Sequence, residues 1–508
     1  MRRIFSLIYE IDIEKGGITS SMMSRSFTFA ERGHKIDLVT LDYKDNYDQI
    51  EQVLKSAGRL HADVNILNIY DDYKNQHKHI KIGEAQQSYY DQNRNRNRFE
   101  EPYAAYHNEE KLETEYFKNG LYIKKKKWDE SDNLLYVDHF NENMQMTKRE
   151  FFHGGYVNKT VIFDTRSGKI NQIHYTAPDG FCYLTEWYHF KTGASQGVIL
   201  FGRDEKEAVF FKNKHQFHTH WLETLCEKEK DPIIICDGVG SASKVNEMRA
   251  GLAKRFYCVH SNHLDYPYTL GSKVRNNHQY AMEHIKDYDG LIVLTNEQKE
   301  DIMKDFESNN NIFVIPHAPR RLEKLQTYEK KKNEFVMVAR YHEEKGIDKV
   351  IKAMGIVKKS RPDIVLNIYG SGPGYEEYQQ LIDDLKLDNV HLKGYVANPA
   401  PFYQQALATL LTSKFEGFSL AICESFSCAT PVVSFDVKYS PRELIKEHET
   451  GMLVEPDNID MLAESIIYLY DNPERAIQYG KNAKNLMDTE YSEARLFERW
   501  EEVFEMTK

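Results

Sequence analysis

Two glutamates near residue 420 have the type and spacing to hold a ligand. Glu416 and Glu424 are separated by seven residues, and the segment 417–420 between them reads Gly-Phe-Ser-Leu. If a helix begins near Ser419, its free backbone N–H groups can bind a phosphate. Because carboxylates accept hydrogen bonds from neighbouring hydroxyls, one glutamate suits a ribose and the other a hexose. An ordinary helix N-terminus is the alternative, but the combined spacing favours a binding site.

Two cations follow a predicted strand at residues 335–339. Arg340 and Lys345 lie five residues apart in a predicted strand-to-helix loop. Such a pair suits a diphosphate, because each cation can stabilise the charge that grows as a leaving group departs. Glu343 and Glu344 lie between them, so a solvated cluster of mixed charges is the alternative.

Glycines stand at the ends of two predicted strands. Gly16 and Gly17 follow the first strand, and residues 370–374 read Gly-Ser-Gly-Pro-Gly after a strand ending at Tyr369. Ligands of parallel α/β sheets bind at the carboxyl ends of strands, where glycine lets the backbone approach a phosphate or sugar. Plain turns are the alternative. The sequence has neither a G-x-G-x-x-G fingerprint nor a Walker A motif, so a dehydrogenase or P-loop enzyme is unsupported.

One histidine ends a predicted strand. His260 closes the strand at residues 255–260, in Val-His-Ser-Asn-His. At that position it could bond a sugar hydroxyl or help to move a proton, although a lone histidine is more often structural. Other histidines lie nearby in sequence, but no set of three ligands with an acidic partner emerges, so we expect no metal site. They are His263, His215, His218 and His220.

Two basic runs fall in a polar middle region of an acidic chain. The formal net charge is -11, which argues against a general nucleic-acid binder, but a local positive patch could still hold a polyanion. Mobile, solvated loops are the alternative. The runs consist of Arg94, Arg96 and Arg98, and of Lys124, Lys125, Lys126 and Lys127.

The elements that must position these residues alternate between strand and helix at both ends of the chain, as in parallel sheets covered on both faces. The middle differs. From about residue 71 to about residue 215 the chain is polar, rich in tyrosine and divided by turn signals. It lacks the helical crossovers that a parallel sheet needs, so we predict an antiparallel insertion. The strands predicted there are residues 157–165, 169–175, 181–190 and 197–201.

The sequence therefore predicts an α/β fold with two doubly wound, Rossmann-like domains and an antiparallel β-rich insertion in the N-terminal one. A strand predicted at residues 312–315 is assigned to the second domain. The predicted bounds are residues 1–70 and 216–310 for the split N-terminal domain, 71–215 for the insertion, 311–490 for the C-terminal domain and 491–508 for a closing helix.

Length and composition agree with that organisation. A chain of 508 residues with 41% hydrophobic and 29% charged residues is typical of a globular protein with two or three domains. Its six cysteines have neither disulfide nor metal spacing, which favours a reducing cytoplasm. No apolar stretch reaches about 18 residues, so we expect membrane contact to be at most peripheral.

These motifs resemble those of the large glycosyltransferase family 4, whose members have the GT-B fold. The β-rich insertion is similar to that of wall teichoic acid α-glycosyltransferases and of accessory-adhesin glucosyltransferases. The opening segment, with Arg25, is most similar to poly(glycerol-phosphate) α-glucosyltransferases of Gram-positive bacteria. The residues that carry the family resemblance, in order, are Gly16, Gly17, His260, Arg340, Lys345, Gly370, Ser371, Gly372, Pro373, Glu416 and Glu424.

The resemblance implies a retaining enzyme that uses UDP-glucose and needs no metal or other cofactor. Arg340 and Lys345 would bind the UDP diphosphate, and His260 would bond a donor hydroxyl near the reacting carbon. Glu416 would contact the donor sugar and Glu424 the ribose. Catalytic roles would fall on the first four of these five residues. The other implied donor contacts are Gly17, Gly370, Tyr395 beside the uracil, and the backbone of Phe418, Ser419 and Leu420.

The implied acceptor is the poly(glycerol phosphate) of wall teichoic acid, whose phosphates the two basic runs would hold. Three alternatives stay open: transfer of N-acetylglucosamine to poly(ribitol phosphate), O-glucosylation of Ser/Thr-rich adhesins, and a non-catalytic acceptor-binding subunit. Related insertions build oligomers through sheet contacts, so we expect a homo-oligomer, with a trimer as one option.

Two segments depart from the family pattern. After Ile315, where Asn-Gly-Val is usual, residues 316–319 read Pro-His-Ala-Pro. Before Glu443, where a glycine pair is common, residues 439–441 read Tyr-Ser-Pro. Both departures concern the acceptor side and donor specificity more than the class of reaction.

Overall fold

The structure is a computed structural model that describes residues 2–13, 17–94, 98–203, 208–318 and 328–507. Within these ranges the chain forms two parallel sheets and one antiparallel sheet, which confirms the predicted architecture. None of the helices described is long and apolar enough to cross a membrane.

The chain opens with alternating strands and helices. Helix α1 begins directly after Gly17, whose φ of 59° is the left-handed conformation that glycine adopts most easily. The third helix is capped by the side chain of Asn68, which accepts hydrogen bonds from two backbone N–H groups. The elements are β1 (Arg3–Leu7), α1 (Ile18–Glu31), β2 (Lys35–Thr40), α2 (Tyr47–Ser56), β3 (Ile66–Asn68) and α3 (Ile69–Asn75).

The insertion is an antiparallel meander of ten described strands, each paired with its neighbours in sequence. The four strands predicted from sequence correspond to β9 to β12. The elements are α4 (Glu84–Arg94), β4 (Ala104–Asn108), β5 (Glu113–Lys118), β6 (Leu121–Trp128), β7 (Leu134–Phe140), β8 (Met146–His153), β9 (Tyr156–Phe163), β10 (Ile170–Thr176), β11 (Cys182–Tyr188), β12 (Ser195–Phe201) and β13 (Ala208–Phe211).

After the insertion the chain returns to the first sheet. Strand β14 is buried at every position, as expected for a central strand of a sheet covered on both faces. The elements are α5 (Lys214–Glu227), β14 (Ile233–Cys236), α6 (Ala242–Asn246), β15 (Lys254–Cys258), α7 (Asn276–Glu283), β16 (Gly290–Val293), α8 (Asn296–Asp305) and β17 (Ile312–Val314).

The first sheet has the strand order β17-β16-β15-β14-β1-β2-β3, with parallel pairing throughout. Strand β17 lies at its edge, beside β16. The N-terminal domain therefore extends past residue 310, and the assignment of residues 312–315 to the second domain was wrong. The reason is that a short apolar strand shows its type in the sequence but not its neighbour.

The second parallel sheet has the order β20-β19-β18-β21-β22-β23. Helices cover both of its faces. The elements are β18 (Lys331–Val338), α9 (Ile347–Ser360), β19 (Val365–Tyr369), α10 (Tyr375–Asp384), β20 (Val390–Gly394), α11 (Ala400–Gln405), β21 (Ala406–Leu411), α12 (Leu420–Ser427), β22 (Val432–Phe435), α13 (Ser440–Leu444), β23 (Gly451–Val454), α14 (Ile459–Asp471), α15 (Pro473–Thr489) and α16 (Glu493–Met506).

The closing helix α16 returns to the N-terminal domain. Its Trp500 and Phe504 are buried in the same hydrophobic core as Phe29 of α1. The guanidinium of Arg25 lies 5.2 Å from the centre of the Trp500 ring, a cation–π distance. The last helix thus fastens the C-terminal domain to the helix that begins at Gly17.

The insertion is joined to the N-terminal domain through a shared core and a buried carboxylate. Glu186 of β11 is 1% exposed. It accepts hydrogen bonds from Tyr70 of α3 at 3.1 Å and Tyr175 of β10 at 3.0 Å, and it pairs with Lys214 of α5 at 2.9 Å. A buried charge with this many donors is well satisfied. The second half of the meander is therefore fixed rigidly beside the first sheet.

Candidate active site

The loops at the carboxyl ends of strands in the two α/β domains meet face to face. Gly417, in the loop between β21 and α12, lies against the end of β15 so closely that an added Cβ would be 2.4 Å from the carbonyl oxygen of His260. Only glycine fits this contact. The segment with the two glutamates therefore adjoins the strand-terminal histidine, as the sequence order had suggested.

The cation and carboxylate predicted to share a donor site are in direct contact. Lys345 Nζ lies 2.8 Å from Glu416 Oε1, and both side chains are largely buried. The backbone of Glu416 is held by two hydrogen bonds with the loop after β22, involving Lys438 and Tyr439 at 3.1 Å each. A positioned ammonium next to a positioned carboxylate can bind a diphosphate oxygen and a sugar hydroxyl at the same time.

The loop that carries Lys345 depends on Gly346. This residue has φ of 60°, and an added Cβ would lie 2.1 Å from the carbonyl oxygen of Thr412. Thr412 in turn donates its hydroxyl to the Gly346 carbonyl at 2.8 Å. The ends of β18 and β21 are thereby packed backbone to backbone, which fixes Lys345 relative to Glu416.

Arg340 is placed differently from Lys345. Its side chain is 68% exposed and pairs with Glu344 at 2.7 Å. An exposed pair of this kind contributes little to stability, so the guanidinium can turn to an incoming anion at small cost. Both predicted cations are at the carboxyl end of β18, but only Lys345 is pre-positioned.

Helix α12 begins where the sequence predicted. Ser419 is its N-cap residue and Leu420 its first helical residue. The Ser419 N–H donates to Ser440 Oγ at 2.9 Å, so this one N–H is already engaged, whereas the next N–H groups point out of the helix start as a possible anion site. Phe418 is buried, and Glu424 lies on the partly exposed side of the helix.

The glycine loop after β19 mainly serves packing. An added Cβ at Gly370 would lie 1.8 Å from the Ala339 carbonyl oxygen, and one at Gly372 would lie 2.6 Å from that of Tyr341. These glycines let the loop approach the segment that carries Arg340. Tyr395, just past β20, is 66% exposed at the same end of the sheet, where an aromatic ring is free to stack on a base. Around Gly17, an added Cβ would meet no described atom within 4 Å.

His260 lies at the centre of a buried polar network. Its Nε2 is 2.9 Å from Asp237 Oδ1, and its Nδ1 is 3.1 Å from Nε2 of His317. The Asp237 carboxylate also accepts from Ser6 Oγ at 2.8 Å and from Arg25 at 3.0 Å. Burial alone would raise the pKa of Asp237, but the charge of Arg25 and the His260 hydrogen bond hold that pKa well below its ordinary value.

The same network contains the one group of potential metal ligands found in the described ranges, Asp237, Cys258 and His260. Arg25 donates to that carboxylate and lies 4.0 Å from the Cys258 sulfur. Burial raises the pKa of the Cys258 thiol well above its ordinary value, so the thiol stays neutral and is a poor ligand. The guanidinium of Arg25 thus already supplies the positive charge beside the Asp237 carboxylate. His215, another histidine that the sequence analysis considered as a metal ligand, forms an ion pair with Glu247.

The loop at residues 439–441, which departs from the family pattern, binds the two domains together. The ring of Tyr439 stacks on that of His263 with centres 6.0 Å apart. Lys438 pairs with Glu297 of α8 at 3.2 Å and also with Asp301. The loop after β22 is therefore anchored to the N-terminal domain directly beside Glu416.

The lysine run of the insertion does not form a basic patch. Lys124 and Lys126 both pair with Glu100, and Lys126 is fully buried against aromatic rings. Lys125 pairs with Glu113 at 3.3 Å, and Lys127 donates to a backbone carbonyl. Lys126 is therefore closed to an acceptor phosphate, because it is buried and paired, and the prediction was wrong for this residue. The partners of Lys124, Lys125 and Lys127 do not support the acceptor role predicted for them, which stays a prediction.

The arginine run is only partly described. Arg98 pairs with Glu109 at 3.1 Å and Asp132 at 2.9 Å, so it too is engaged within the insertion and does not support the acceptor role predicted for it. Arg96 and the side chain of Arg94 lie outside the described residues, and their predicted role stays a prediction.

Two residues of the network were missed from the sequence. Asp237 directly follows the apolar strand β14, and a charged residue at the carboxyl end of a buried strand was a usable signal. His317 had been noticed only as a departure from the family pattern, and its contact with His260 joins positions 57 residues apart. No periodicity in the sequence reveals such a pairing.

Comparison with known proteins agrees with the fold. Residues 320–486 match the family model "Glycosyl transferases group 1". The chain is 29% identical to the poly(ribitol-phosphate) alpha-N-acetylglucosaminyltransferase of Staphylococcus aureus, over 99% of this chain and 100% of that protein. It is 26% identical to the poly(glycerol-phosphate) alpha-glucosyltransferase of Bacillus subtilis, over 73% of this chain and 56% of that longer protein.

Solved structures give the same assignment. The crystal structure of TarM superposes with a TM-score of 0.88 at 28% identity, over 99% of both chains. A mutant of S. aureus TarM, solved with fondaparinux, alpha-GlcNAc-glycerol and UDP, superposes with a TM-score of 0.87. The chain is thus a glycosyltransferase with the GT-B fold, and its residues 320–486 match the group 1 family. It is similar to teichoic acid glycosyltransferases, TarM and the poly(glycerol-phosphate) alpha-glucosyltransferase among them.

Proposed function

We propose that the chain is a retaining α-glycosyltransferase that moves a hexose from a UDP-sugar to hydroxyls of a polyol-phosphate polymer such as wall teichoic acid. The observation that supports this most is the contact of 2.8 Å between Lys345 and Glu416 beside the start of α12. It places a cation, a carboxylate and a helix N-terminus together at the interdomain cleft. The full-length similarity to a poly(ribitol-phosphate) transferase supports the class of acceptor.

In this proposal the bond between the sugar C1 and the UDP oxygen breaks, and Lys345 and Arg340 neutralise the charge that grows on the diphosphate. The acceptor hydroxyl attacks from the same face, so the α configuration is kept, and its proton passes to the departing phosphate oxygen. No protein carboxylate becomes a covalent nucleophile, unlike in a retaining glycosidase. The proposed reaction needs no metal ion, because the cations and the start of α12 would stabilise the charge of the leaving diphosphate.

Two donor and acceptor pairs compete. The opening segment of the sequence favours UDP-glucose with poly(glycerol phosphate). The match over 99% of the chain to a poly(ribitol-phosphate) N-acetylglucosamine transferase favours the other pair. O-glucosylation of adhesins and a non-catalytic binding role are further alternatives. The full set of Arg340, Lys345, Glu416 and Glu424 argues for catalysis.

Acceptor phosphates need a cation other than the paired lysine run, and Lys159 of β9 is the candidate that we propose. Its ammonium lies 4.8 Å from the ring centres of Tyr43 and Phe151. No described residue forms an ion pair or a hydrogen bond with it. Burial lowers the pKa of Lys159, although the carboxylates of Glu186 and Asp45 act in the opposite direction. A phosphate bound beside this ammonium would stabilise its charged form. Its strand adjoins β10, whose Tyr175 donates to the buried Glu186 that joins the insertion to the N-terminal domain.

We further infer that the insertion assembles the chain into a homo-oligomer. Its two edge strands, β4 and β13, carry the exposed side chains Tyr106 and Phe210, the latter 61% exposed. Open edges with apolar residues pair readily with other chains. Sedimentation of the wild type and of Phe210→Glu tests this, since an unchanged mass for a variant that remains folded would contradict it. We also propose a cytoplasmic reaction with peripheral membrane contact, which cell fractionation tests.

The decisive experiment measures UDP release by the purified chain. UDP-glucose and UDP-N-acetylglucosamine are each offered with poly(glycerol phosphate) and with poly(ribitol phosphate), with and without EDTA, and Glu416→Ala is the control. Turnover with one pair, retained in EDTA and lost in the control, would support the proposal and identify the substrates. No UDP release in any of the four mixtures would contradict the proposed function and favour an adhesin acceptor or a binding subunit.

A further inference from the structure

The backbone of Glu416 is hydrogen-bonded to the loop after β22. Its N–H donates to the carbonyl of Lys438, and its carbonyl accepts from the N–H of Tyr439, each at 3.1 Å. Its carboxylate meets the ammonium of Lys345 at 2.8 Å. Because both peptide groups of Glu416 are held by two consecutive residues, a shift of Lys438 also shifts the Glu416 carboxylate.

The side chain of Lys438 reaches the other α/β domain. Its ammonium forms ion pairs with two carboxylates of α8, that of Asp301 and, at 3.2 Å, that of Glu297. Asp301 is 2% exposed. A second cation beside Asp301, Lys304, is 3.5 Å away, and its side chain is 56% exposed. Since a buried carboxylate is costly without a charged partner, Asp301 holds the ammonium of Lys438 against the N-terminal domain.

This contact is ionic at neutral pH. Burial lowers the pKa of Lys438, but the carboxylates of Asp301 and Glu297 outweigh burial and raise that pKa above its ordinary value. A histidine at the same interface, His263, stacks on Tyr439 with ring centres 6.0 Å apart. Burial lowers the pKa of His263 to about 4, so this ring is neutral and does not compete with Lys438 for the carboxylate.

Residues on both sides of Glu416 also touch the N-terminal domain. The ring of Phe415 lies against that of Tyr268, with centres 4.6 Å apart, and Gly417 lies against the backbone of His260. Both contacts are with the loop that follows β15. The segment 415–417 is thus placed by the N-terminal domain, although it belongs to the C-terminal one.

The cations predicted to bind the diphosphate are placed differently. Arg340 and Lys345 lie in the loop after β18, and the packing of Gly346 on Thr412 fixes Lys345 within the C-terminal domain. The donor site therefore has two supports. The cations depend on the C-terminal domain, whereas the position of Glu416 depends on both domains.

We propose, on the basis of the sugar transfer proposed above, that Asp301 is a positioning residue for the donor hexose, because it holds the Glu416 carboxylate in place through Lys438. Asp301 is buried and acts only through that lysine. In this arrangement the N-terminal domain contributes to recognition of the hexose, and the UDP part of the donor depends on the C-terminal domain. Loss of the ion pair should therefore weaken the hold on the sugar and spare that on UDP.

Asp301→Asn tests this, because it keeps the shape of the side chain and removes its charge. We expect kcat/KM for the UDP-sugar to fall about 10-fold to 100-fold, since a small displacement of a positioned group is costly in the transition state. Lys438→Met removes the same ion pair from its other side and should have the same effect. Lys438→Arg keeps the charge and should retain most of the activity. Wild-type kcat/KM in both Asp301→Asn and Lys438→Met would overturn the inference.

The double variant distinguishes one link from two independent defects. If Asp301 acts through Lys438, the combination of Asp301→Asn with Lys438→Met should lose no more kcat/KM than either single variant, because residues in one chain of contacts are not additive. Losses that multiply would mean that the two residues act by separate routes, and they would overturn the inference.

Arg442 provides a matched control at the same interface. It also joins α8, through Glu297 at 3.3 Å, but no hydrogen bond links it to Glu416 in the described part of the chain. Arg442→Met should therefore keep the kcat/KM of the wild type. Activities are compared at a temperature at which every variant is folded. A loss in Arg442→Met equal to that in Asp301→Asn would mean that the whole interface is needed, and the inference would be wrong.

Calorimetry separates this inference from the proposed function, because it needs no turnover. UDP, UDP-glucose and UDP-N-acetylglucosamine are titrated into the wild type and into Asp301→Asn. We expect the variant to bind a UDP-sugar several-fold more weakly than the wild type and to bind UDP equally well. If the wild type shows this difference but releases no UDP in any mixture, the proposed function alone is contradicted. Equal weakening of UDP and UDP-sugar overturns the inference alone, and a wild type that binds neither UDP-sugar contradicts both.

Discussion

Two groups of cations in this chain were both predicted from the sequence to bind phosphates, and the structure places them in different settings. The four lysines at residues 124–127 form a dense basic run, yet each already has a protein partner, and Lys126 is fully buried. Arg340 and Lys345 are separated by four residues, two of them glutamates, and they lie in the loop at the carboxyl end of β18. Arg340 and Lys345 lie at a strand end, where ligands of parallel sheets bind, whereas the lysine run lies along strand β6.

The difference follows from the secondary structure that carries each group. Alternate residues of β6 point to opposite faces of the sheet, so Lys126 faces the same core as Trp128. A strand cannot present four consecutive side chains to one ligand. The loop after β18 has no such alternation, and the open end of a parallel sheet is where ligands bind. Charge density in a sequence is therefore a weaker indicator of a site than position at a strand end.

The largest effect is expected at Lys345. Lys345→Ala removes the positioned cation and leaves Glu416 without its partner, so kcat should fall about 1000-fold. Lys349→Ala is the matched control, because Lys349 lies one turn further along and pairs only with the exposed Asp457. UDP release measures both. Equal activity of the two variants would remove the distinction between the cleft cations and other lysines.

Lys126 should matter for stability instead of catalysis. Lys126→Met removes the buried one of the two lysines that pair with Glu100 and leaves Lys124 in place. We therefore expect the free energy of unfolding of the insertion to drop by about 1 kcal/mol. Urea denaturation followed by tryptophan fluorescence measures this, since Trp128 is adjacent. Lys127→Met, at the protein surface, is the control and should change stability by less than about 0.5 kcal/mol.

The KM of the Lys126→Met variant for the acceptor polymer gives a second test of this comparison. While it is folded, its KM for the acceptor polymer should equal that of the wild type, because the ammonium faces the interior. A raised polymer KM without any loss of stability would mean that the run does contact the acceptor.

Arg340 should have an intermediate effect. Its exposed pair with Glu344 contributes little to stability, so Arg340→Ala should leave Tm unchanged while kcat falls about 10-fold to 100-fold. Glu344→Gln frees the guanidinium and should not lower activity. A loss of Tm in Arg340→Ala, or a loss of kcat in Glu344→Gln, would show that the ion pair is structural.

Local features of the fold and site were accessible from the sequence. Helix α12 begins at Ser419 as predicted, and the glycines at the ends of β1 and β19 stand where strand-terminal loops occur. These features depend on neighbours in sequence, such as apolar periodicity and turn residues. The order of strand-end motifs also sufficed to identify the fold.

Features that depend on distant pairing were not accessible. Asp237 and His317 gain meaning only once both contact His260, and Lys345 meets Glu416 across 71 positions. The burial of Lys126 could not be predicted for a related reason. Four identical residues give no alternation to show which face of β6 is buried, so the burial of Lys126 is determined by the packing of the sheet alone.

The smallest effect is expected at Lys159, and it tests the proposed acceptor track. Lys159→Gln should raise KM for the polymer severalfold, leave the KM for the UDP-sugar unchanged, and weaken the dependence of polymer binding on salt, because one cation is removed. Lys214→Gln is the matched control, since Lys214 lies nearby but is already paired with Glu186 at 2.9 Å. If the ammonium of Lys159 binds an acceptor phosphate, only its removal should affect the KM for the polymer. If both variants have the same KM for the polymer, Lys159 does not bind the acceptor.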